Sequence, residues 1–213
     1  RIKAFENNLL IEKAKLFGST KFLGYSQLAA DCKVLEIITD NGEADSVGEG
    51  DEAYIFLDQT PFYTESGGQV SDDGIIRTDK VLAEIIELKK LPSGTVSHRV
   101  LVKHGVLSKG DTVSAMVDVD SRKAIAIHHS STHLLHSALR RVLGGHVQQA
   151  GSLVSKERLR FDFSHFTALT NEEIQAIENE INKQILSNLP VSVAELSRDE
   201  AQAKGAIALF GEK

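Results

Sequence analysis

The spacing of apolar residues changes from strand-like to helical at Asp118-Val119-Asp120-Ser121, and that change limits the fold more than any other feature. Upstream, short apolar runs of strand length follow one another: Lys33 to Ile38, Ala53 to Leu57, Val81 to Leu88, Arg99 to Val102 and Thr112 to Val117. Asn41-Gly42, Gly48 to Asp51, Pro92-Ser93-Gly94 and Lys109-Gly110-Asp111 separate them as turns. Downstream, Arg122 to Leu143 keeps helical spacing for about six turns and stops on Gly144-Gly145.

The upstream runs predict a small β-barrel. Two of its turns resemble each other, Gly50-Asp51 and Gly110-Asp111, each feeding a strand. Ahead of the barrel, Ile2, Phe5, Leu9, Ile11 and Leu16 sit at roughly helical spacing and Gly18 closes the run, which predicts a lead-in helix.

Beyond the long helix, His146 to Val154 and Arg158 to Phe163 are expected as strands. Thr170-Asn171-Glu172-Glu173 is a capping box, opening a helix with Ile174, Ile177, Ile181 and Ile185 on one stripe and Pro190 as its stop. Val191 to Leu196 reads as a strand, Ser197 to Glu200 as a second capping box, and Ala206 to Phe210 as a last strand. The expected class is α+β, with helices packed on an antiparallel sheet after the barrel. The expected divisions are 1–24 for the lead-in helix, 25–118 for the barrel and 119–213 for the α+β core.

With 213 residues, 41% of them hydrophobic, the chain can build a core without covalent staples. Its one cysteine, Cys32, excludes an internal disulfide. No secretory segment or long apolar run is present, so no membrane association and a cytoplasmic location are expected, and a processed organellar protein has the same appearance. The chain starts on Arg1 and ends on Phe210-Gly211-Glu212-Lys213, and is expected to be a segment of a longer protein. A net charge of −6 argues against gripping nucleic acid by bulk electrostatics. RNA contact must then be local, and Arg140-Arg141 with Lys156, Arg158 and Arg160 are either solvated faces or such contacts.

Four histidines fall within the nine residues His128 to His136. On a helix His129, His133 and His136 lie within about 60° of one face, while His128 points elsewhere. Two imidazoles one turn apart can reach a single Zn²⁺ if further ligands are supplied, yet histidines on wet helix faces are common and both readings stay open. A zinc peptidase is excluded, because its HExxH pattern needs a glutamate where this chain has Ser130. The other unusual segment is Leu57 to Gln69. There Gly67-Gly68 lets backbone N–H groups approach a ligand, and Thr60, Glu65, Ser66 and Gln69 offer hydrogen-bonding groups; a plain barrel loop is the alternative.

Taken together, Asp58 to Tyr63 with Glu65 to Gln69, His129 to His136, Gln148-Gln149 with Gly151 to Val154, Leu159 to His165 and Lys204 to Lys213 resemble the editing region of the alanyl-tRNA synthetase family. The resemblance covers most of the chain. It implies a β-barrel followed by an editing core of the type shared with threonyl-tRNA synthetase. It also implies hydrolysis of the ester of tRNA(Ala) mischarged with serine or glycine, with alanine attachment by ATP and Mg²⁺ in a catalytic domain of the parent protein. It implies zinc held by HxxxH, here His129 and His133, and by a later CxxxH that this chain lacks, so low zinc occupancy is expected.

By the same resemblance, Thr60 and Gln149 are candidates for reading the misacylated residue, with Thr132 and Gln69 lining the pocket and Gly67 and Gly68 shaping it. Serine differs from alanine by one hydroxyl, which a pocket for alanine rejects weakly and a second site that hydrogen-bonds it can select steeply. Gln149→Ala and Thr60→Val are expected to change deacylation with the fold intact. A freestanding deacylase and a non-catalytic tRNA-binding module are the competing readings.

Overall fold

The computed structural model describes residues 2–192, 194 and 196–206. The chain divides into two compact units, Arg1–His129 with Leu153–Arg158, and Ser130–Ser152 with Leu159–Lys213. The first is the barrel unit. Its elements are helix α1 (Ile2–Phe17) and strands β1 (Lys21–Phe22), β2 (Ala29–Thr39), β3 (Gly42–Glu43), β4 (Ser46–Gly48), β5 (Glu52–Leu57), β6 (Gln59–Thr60), β7 (Gly74–Arg77), β8 (Leu82–Lys90), β9 (Val96–His104), β10 (Val106–Ser108) and β11 (Thr112–Val117).

The antiparallel order β11-β7-β8-β9-β5-β2 closes on itself, because β2 also pairs with β11 from Lys33↔Thr112 to Ala29↔Met116. One strand can serve two neighbours because it bends: the first half of β2 lies along β11, the second half along β5, and the register slips between Val34 and Glu36. Such bulges give a sheet the curvature that closure needs. A second slip, between Ile85 and Glu87 of β8, explains why the buried residues there run Ala83, Ile85 and then Leu88 rather than strictly every other position.

In β11 alternation is clean, with Val113, Ala115 and Val117 inside. Ile37, Ile55, Phe62, Ile76, Val100 and Leu107 are fully enclosed in this core. Each such large side chain contributes about 1.5–3 kcal/mol by leaving water.

The two similar turns form alike. Asp51 Oδ2 accepts from the Gly48 amide and Asp111 Oδ2 from the Ser108 amide, each at 2.8 Å, and the strands leading into them, β4 and β10, pair with each other. Gly105 is required at its corner: φ is +80°, and a Cβ there would meet the Lys80 carbonyl oxygen at 2.0 Å. Helix α1 forms where expected and covers the outside of the barrel, burying Leu10 and Ala14 with Ile38, Phe56 and Leu91. Thr95 Oγ1 donates to the Ala14 carbonyl at 2.9 Å, tying the end of α1 to the start of β9.

Helix α2 (Val119–Leu143) starts one turn before the expected Arg122, because Asp118 is its N-cap: Oδ1 accepts from the Ser121 amide at 2.9 Å. It passes from the barrel unit into the second unit at residue 130. The second unit adds β12 (Gln149–Val154), β13 (Leu159–Phe163), α3 (Asn171–Leu186) and α4 (Arg198–Ala203), with β12 and β13 paired and the last two residues of β12 assigned to the barrel unit. Its core is Ala138, Leu139, Val147 and Ile177, with Phe161, Phe163 and Ile181 against them. The whole is an α+β fold.

β12 begins three residues after the expected His146. Gly144 at φ +114° turns the chain, and His146 stacks on Phe166 instead of entering the sheet. α3 ends at Leu186, ahead of Pro190, with Asn188 at φ +43° closing it in the left-handed conformation that asparagine tolerates. Both capping boxes are formed. Replacing Thr170 by alanine is expected to cost about 1 kcal/mol, read as a lower denaturant midpoint and faster amide exchange in the first turn of α3. The strand expected over Val191 to Leu196 includes Val193 and Glu195, which lie outside the described residues. So does most of the one expected from Ala206 to Phe210. Among the described residues no helix is long and apolar enough to cross a membrane.

Candidate functional site

The segment between β5 and β7 is held in place before it can hold anything else. Asp72 and Arg122 form a buried ion pair, with Asp72 1% exposed and Arg122 17%. Arg122 Nε donates to Asp72 Oδ1 at 2.8 Å, and its other nitrogens donate to Asp72 Oδ2 and to the carbonyls of Gly24 and Pro61. Asp72 Oδ2 in turn accepts from the Tyr63 amide at 2.6 Å. One guanidinium from the first turn of α2 therefore fixes both ends of the loop that carries residues 61–72.

Within this loop Ser66 and Gln69 exchange backbone hydrogen bonds across Gly67 and Gly68, whose φ values are +59° and +82°. Two successive positive φ values are the signature of a type I′ turn, so the first requirement for the glycine pair is backbone geometry. The turn is anchored on β12: Val154 donates to the Gly68 carbonyl at 2.8 Å and Val70 to the Val154 carbonyl at 3.0 Å.

This places the Gln69 side chain, 9% exposed, with Oε1 2.7 Å from His129 Nδ1. An amide oxygen only accepts, so Nδ1 carries the proton and Nε2 is the basic nitrogen. His128 points away, its Nδ1 2.7 Å from the Ser155 carbonyl.

Thr60 occupies a different position from the one expected of a residue that reads a substrate. It is fully buried, its Oγ1 accepts from the Phe62 amide at 3.2 Å, and it lies 2.9 Å from His98 Nε2. His98 Nδ1 donates to the Ile55 carbonyl at 3.3 Å, so Nε2 is the acceptor and the Thr60 hydroxyl is directed into it. Burial lowers the His98 pKa to about 4 and keeps the ring neutral, as this chain of bonds needs. Thr60→Val would orphan both the Phe62 amide and the His98 nitrogen, so the substitution is a stability change and the expectation of an intact fold is corrected.

In the second unit Thr132 is buried, His133 is exposed and Gln149 is half-buried, with Gln149 Nε2 donating to Ser152 Oγ at 3.1 Å. His136 packs on Phe161 with ring centroids 5.2 Å apart. Among the described residues its buried Nε2 has no hydrogen-bond partner, and desolvation, then the charge of Arg140, holds its pKa below the ordinary value. Cys32 is buried, and burial pushes its thiol up to about 12. His129 and His133 lie one turn apart on α2, and among the described residues no group of three or more His, Cys, Asp or Glu is arranged to hold a metal ion.

The model of the family "tRNA synthetases class II (A)" matches residues 3–121, and the chain belongs to that family. Its relatives include the alanine–tRNA ligase of Desulfitobacterium hafniense (strain Y51), 55% identical over 100% of this chain and 24% of the relative. The alanine–tRNA ligase of Halalkalibacterium halodurans is 50% identical over 90% of the chain and 22% of the relative. That of Acetivibrio thermocellus is 48% identical over 91% and 22%. The chain thus spans about a quarter of the length of the curated relatives it matches.

Proposed function

We propose that this chain is the editing region of an alanine–tRNA ligase acting in the cytoplasm, and that it hydrolyses the ester of tRNA(Ala) mischarged with serine or glycine. We place the attachment of alanine, with its ATP and Mg²⁺, in other parts of the whole protein. The observation that carries the reading is the Gln69–His129 hydrogen bond. It joins the two segments on which the family resemblance rests, and it gives His129 the tautomer a metal ligand needs.

In the reaction, water adds to the ester carbonyl and the bond to the ribose oxygen breaks, that oxygen leaving with a proton. Ser130 is no base at neutral pH. The chain's contribution is therefore positioning and hydrogen bonding to the substrate. Gln149 and Thr132 present an amide and a hydroxyl suited to the serine side chain and the ester, while Gly67, Gly68 and Gln69 shape and orient the loop. Thr60 is a positioning residue that acts through His98 and Phe62. His129 and His133 would hold Zn²⁺, which when bound polarises the substrate as a Lewis acid.

The test is deacylation of Ser-tRNA(Ala) by this chain and by a version extended through the CxxxH motif. The extended form is expected to accelerate hydrolysis strongly, and Gln149→Ala to slow it roughly tenfold, the value of one hydrogen bond made in the transition state, with an unchanged melting curve. Hydrolysis no faster than in buffer for both forms would assign the chain to tRNA binding alone.

A further inference from the structure

The second unit carries a feature that the editing reading does not use, a layered group of rings where the two strands of its sheet come together. His146 Nε2 and His165 Nδ1 are 2.9 Å apart, and their ring centroids are 5.2 Å apart at 22°. That separation is what two bonded nitrogens and two ring radii add up to, so the imidazoles lie side by side in one layer. Phe166 forms the next layer, 4.6 Å above His146 at 25°. Its other face is open: the residue is 83% exposed.

The support is rigid. Ser164 donates its amide to the Gln148 carbonyl at 3.0 Å and its Oγ accepts from the Gln148 amide at 3.2 Å, locking together the segments that carry the rings. Arg140, whose Nη1 donates to the Val147 carbonyl at 3.2 Å, lies against Gly145 next to His146. A planar ring held with one face covered and one face in water suits a flat, uncharged heterocycle, and the Arg140 guanidinium, against the chain neighbours of His146, suits the phosphate chain that carries it.

We infer that Phe166, backed by His146 and His165, is a seat on which an unpaired RNA base stacks, with Arg140 at the adjoining phosphate. This rests on the reading that the chain handles tRNA. Unpaired bases stack on aromatic faces regardless of their identity, and a net charge of −6 makes local stacking a more effective source of affinity than bulk charge. His146, the ring on which Phe166 stacks, is three residues along the chain from Gln149, so the Cα atoms of these two residues are at most about 11 Å apart. A base held there would position the nucleotide next to the one whose ester Gln149 is proposed to read.

The experiment compares binding of this chain to two RNA hairpins, one blunt and one with a four-nucleotide single-stranded 3′ end carrying 2-aminopurine. The overhang is expected to bind more tightly and its fluorescence to be quenched. Phe166→Ala should weaken overhang binding about tenfold, Phe166→Trp should retain it, and His165→Ala should fall between, while the blunt hairpin is unaffected. The ring is exposed, so the melting temperature of Phe166→Ala should match that of the wild type. Equal affinity for the two hairpins, no measurable overhang binding, or wild-type overhang binding by Phe166→Ala would overturn the inference. If the editing reading fails instead, Ser-tRNA(Ala) is not deacylated while the overhang preference and its dependence on Phe166 persist.

Discussion

Replacing Arg122 by alanine is expected to lower the stability of the barrel unit by about 3–5 kcal/mol, the usual cost of leaving one partner of a buried ion pair alone. Asp72 is 1% exposed and would lose its charged partner while still accepting from the Tyr63 amide. The carbonyls of Gly24 and Pro61 would lose their donors in the same step. Arg122→Lys should recover only part of the loss, because an ammonium offers a point charge where the guanidinium makes bonds in several directions at once. Chemical denaturation of the three proteins measures this. A midpoint for Arg122→Ala within experimental error of the wild type would mean that the pair does not hold the loop. The loop carries Gln69, so local amide exchange around residues 63–72 should rise in the variant as well.

Acidification is expected to weaken the same unit through His98. Its pKa in the fold is lowered to about 4 by burial, against 6.5 as its ordinary value. Between those two pH values the unfolded chain binds a proton that the folded chain refuses, so stability falls as pH drops through this window, by roughly 1.4 kcal/mol per pH unit at most and about 3 kcal/mol in total. Above pH 6.5 the residue contributes no slope, and below 4 the penalty is complete. His98→Gln, which can still accept from Thr60, should flatten this part of the profile. Carboxylates elsewhere titrate equally in both proteins and cancel in the difference of their denaturant midpoints between pH 4 and 7. Parallel profiles would show that His98 takes up its proton in the folded state at its ordinary value.

These two expectations concern residues that no local pattern singles out. The long helix, the lead-in helix, the capping boxes at Thr170 and Ser197 and the main barrel strands are written in residue spacing, since helix periodicity, capping side chains and alternation act over a few positions. Strands of two or three residues such as β1, β3 and β6 are too short to carry a period.

The site was legible in part. Gln69 and His129 stand out by residue type, although 60 positions apart, and the fold bonds them directly. Thr60 also stands out by type, yet its hydroxyl is directed inward, because Ile55 and Phe62 dictate which way His98 and the chain face. Arg122 and Asp72 are separated by 50 positions. An arginine in the first turn of a helix and an aspartate after a loop are ordinary residues until the barrel brings them together.

The pairing that closes the barrel joins residues 29–33 to residues 112–116. No stretch of the barrel shorter than this can satisfy all of its strand edges, so its last hydrogen bonds wait until some 80 intervening residues are ordered. On a ribosome, the nascent chain would expose the unpaired edge of β2 until β11 emerges. Loop closure over that distance sets a slow, cooperative folding step, and during it the exposed edge is the surface most vulnerable to pairing with another chain.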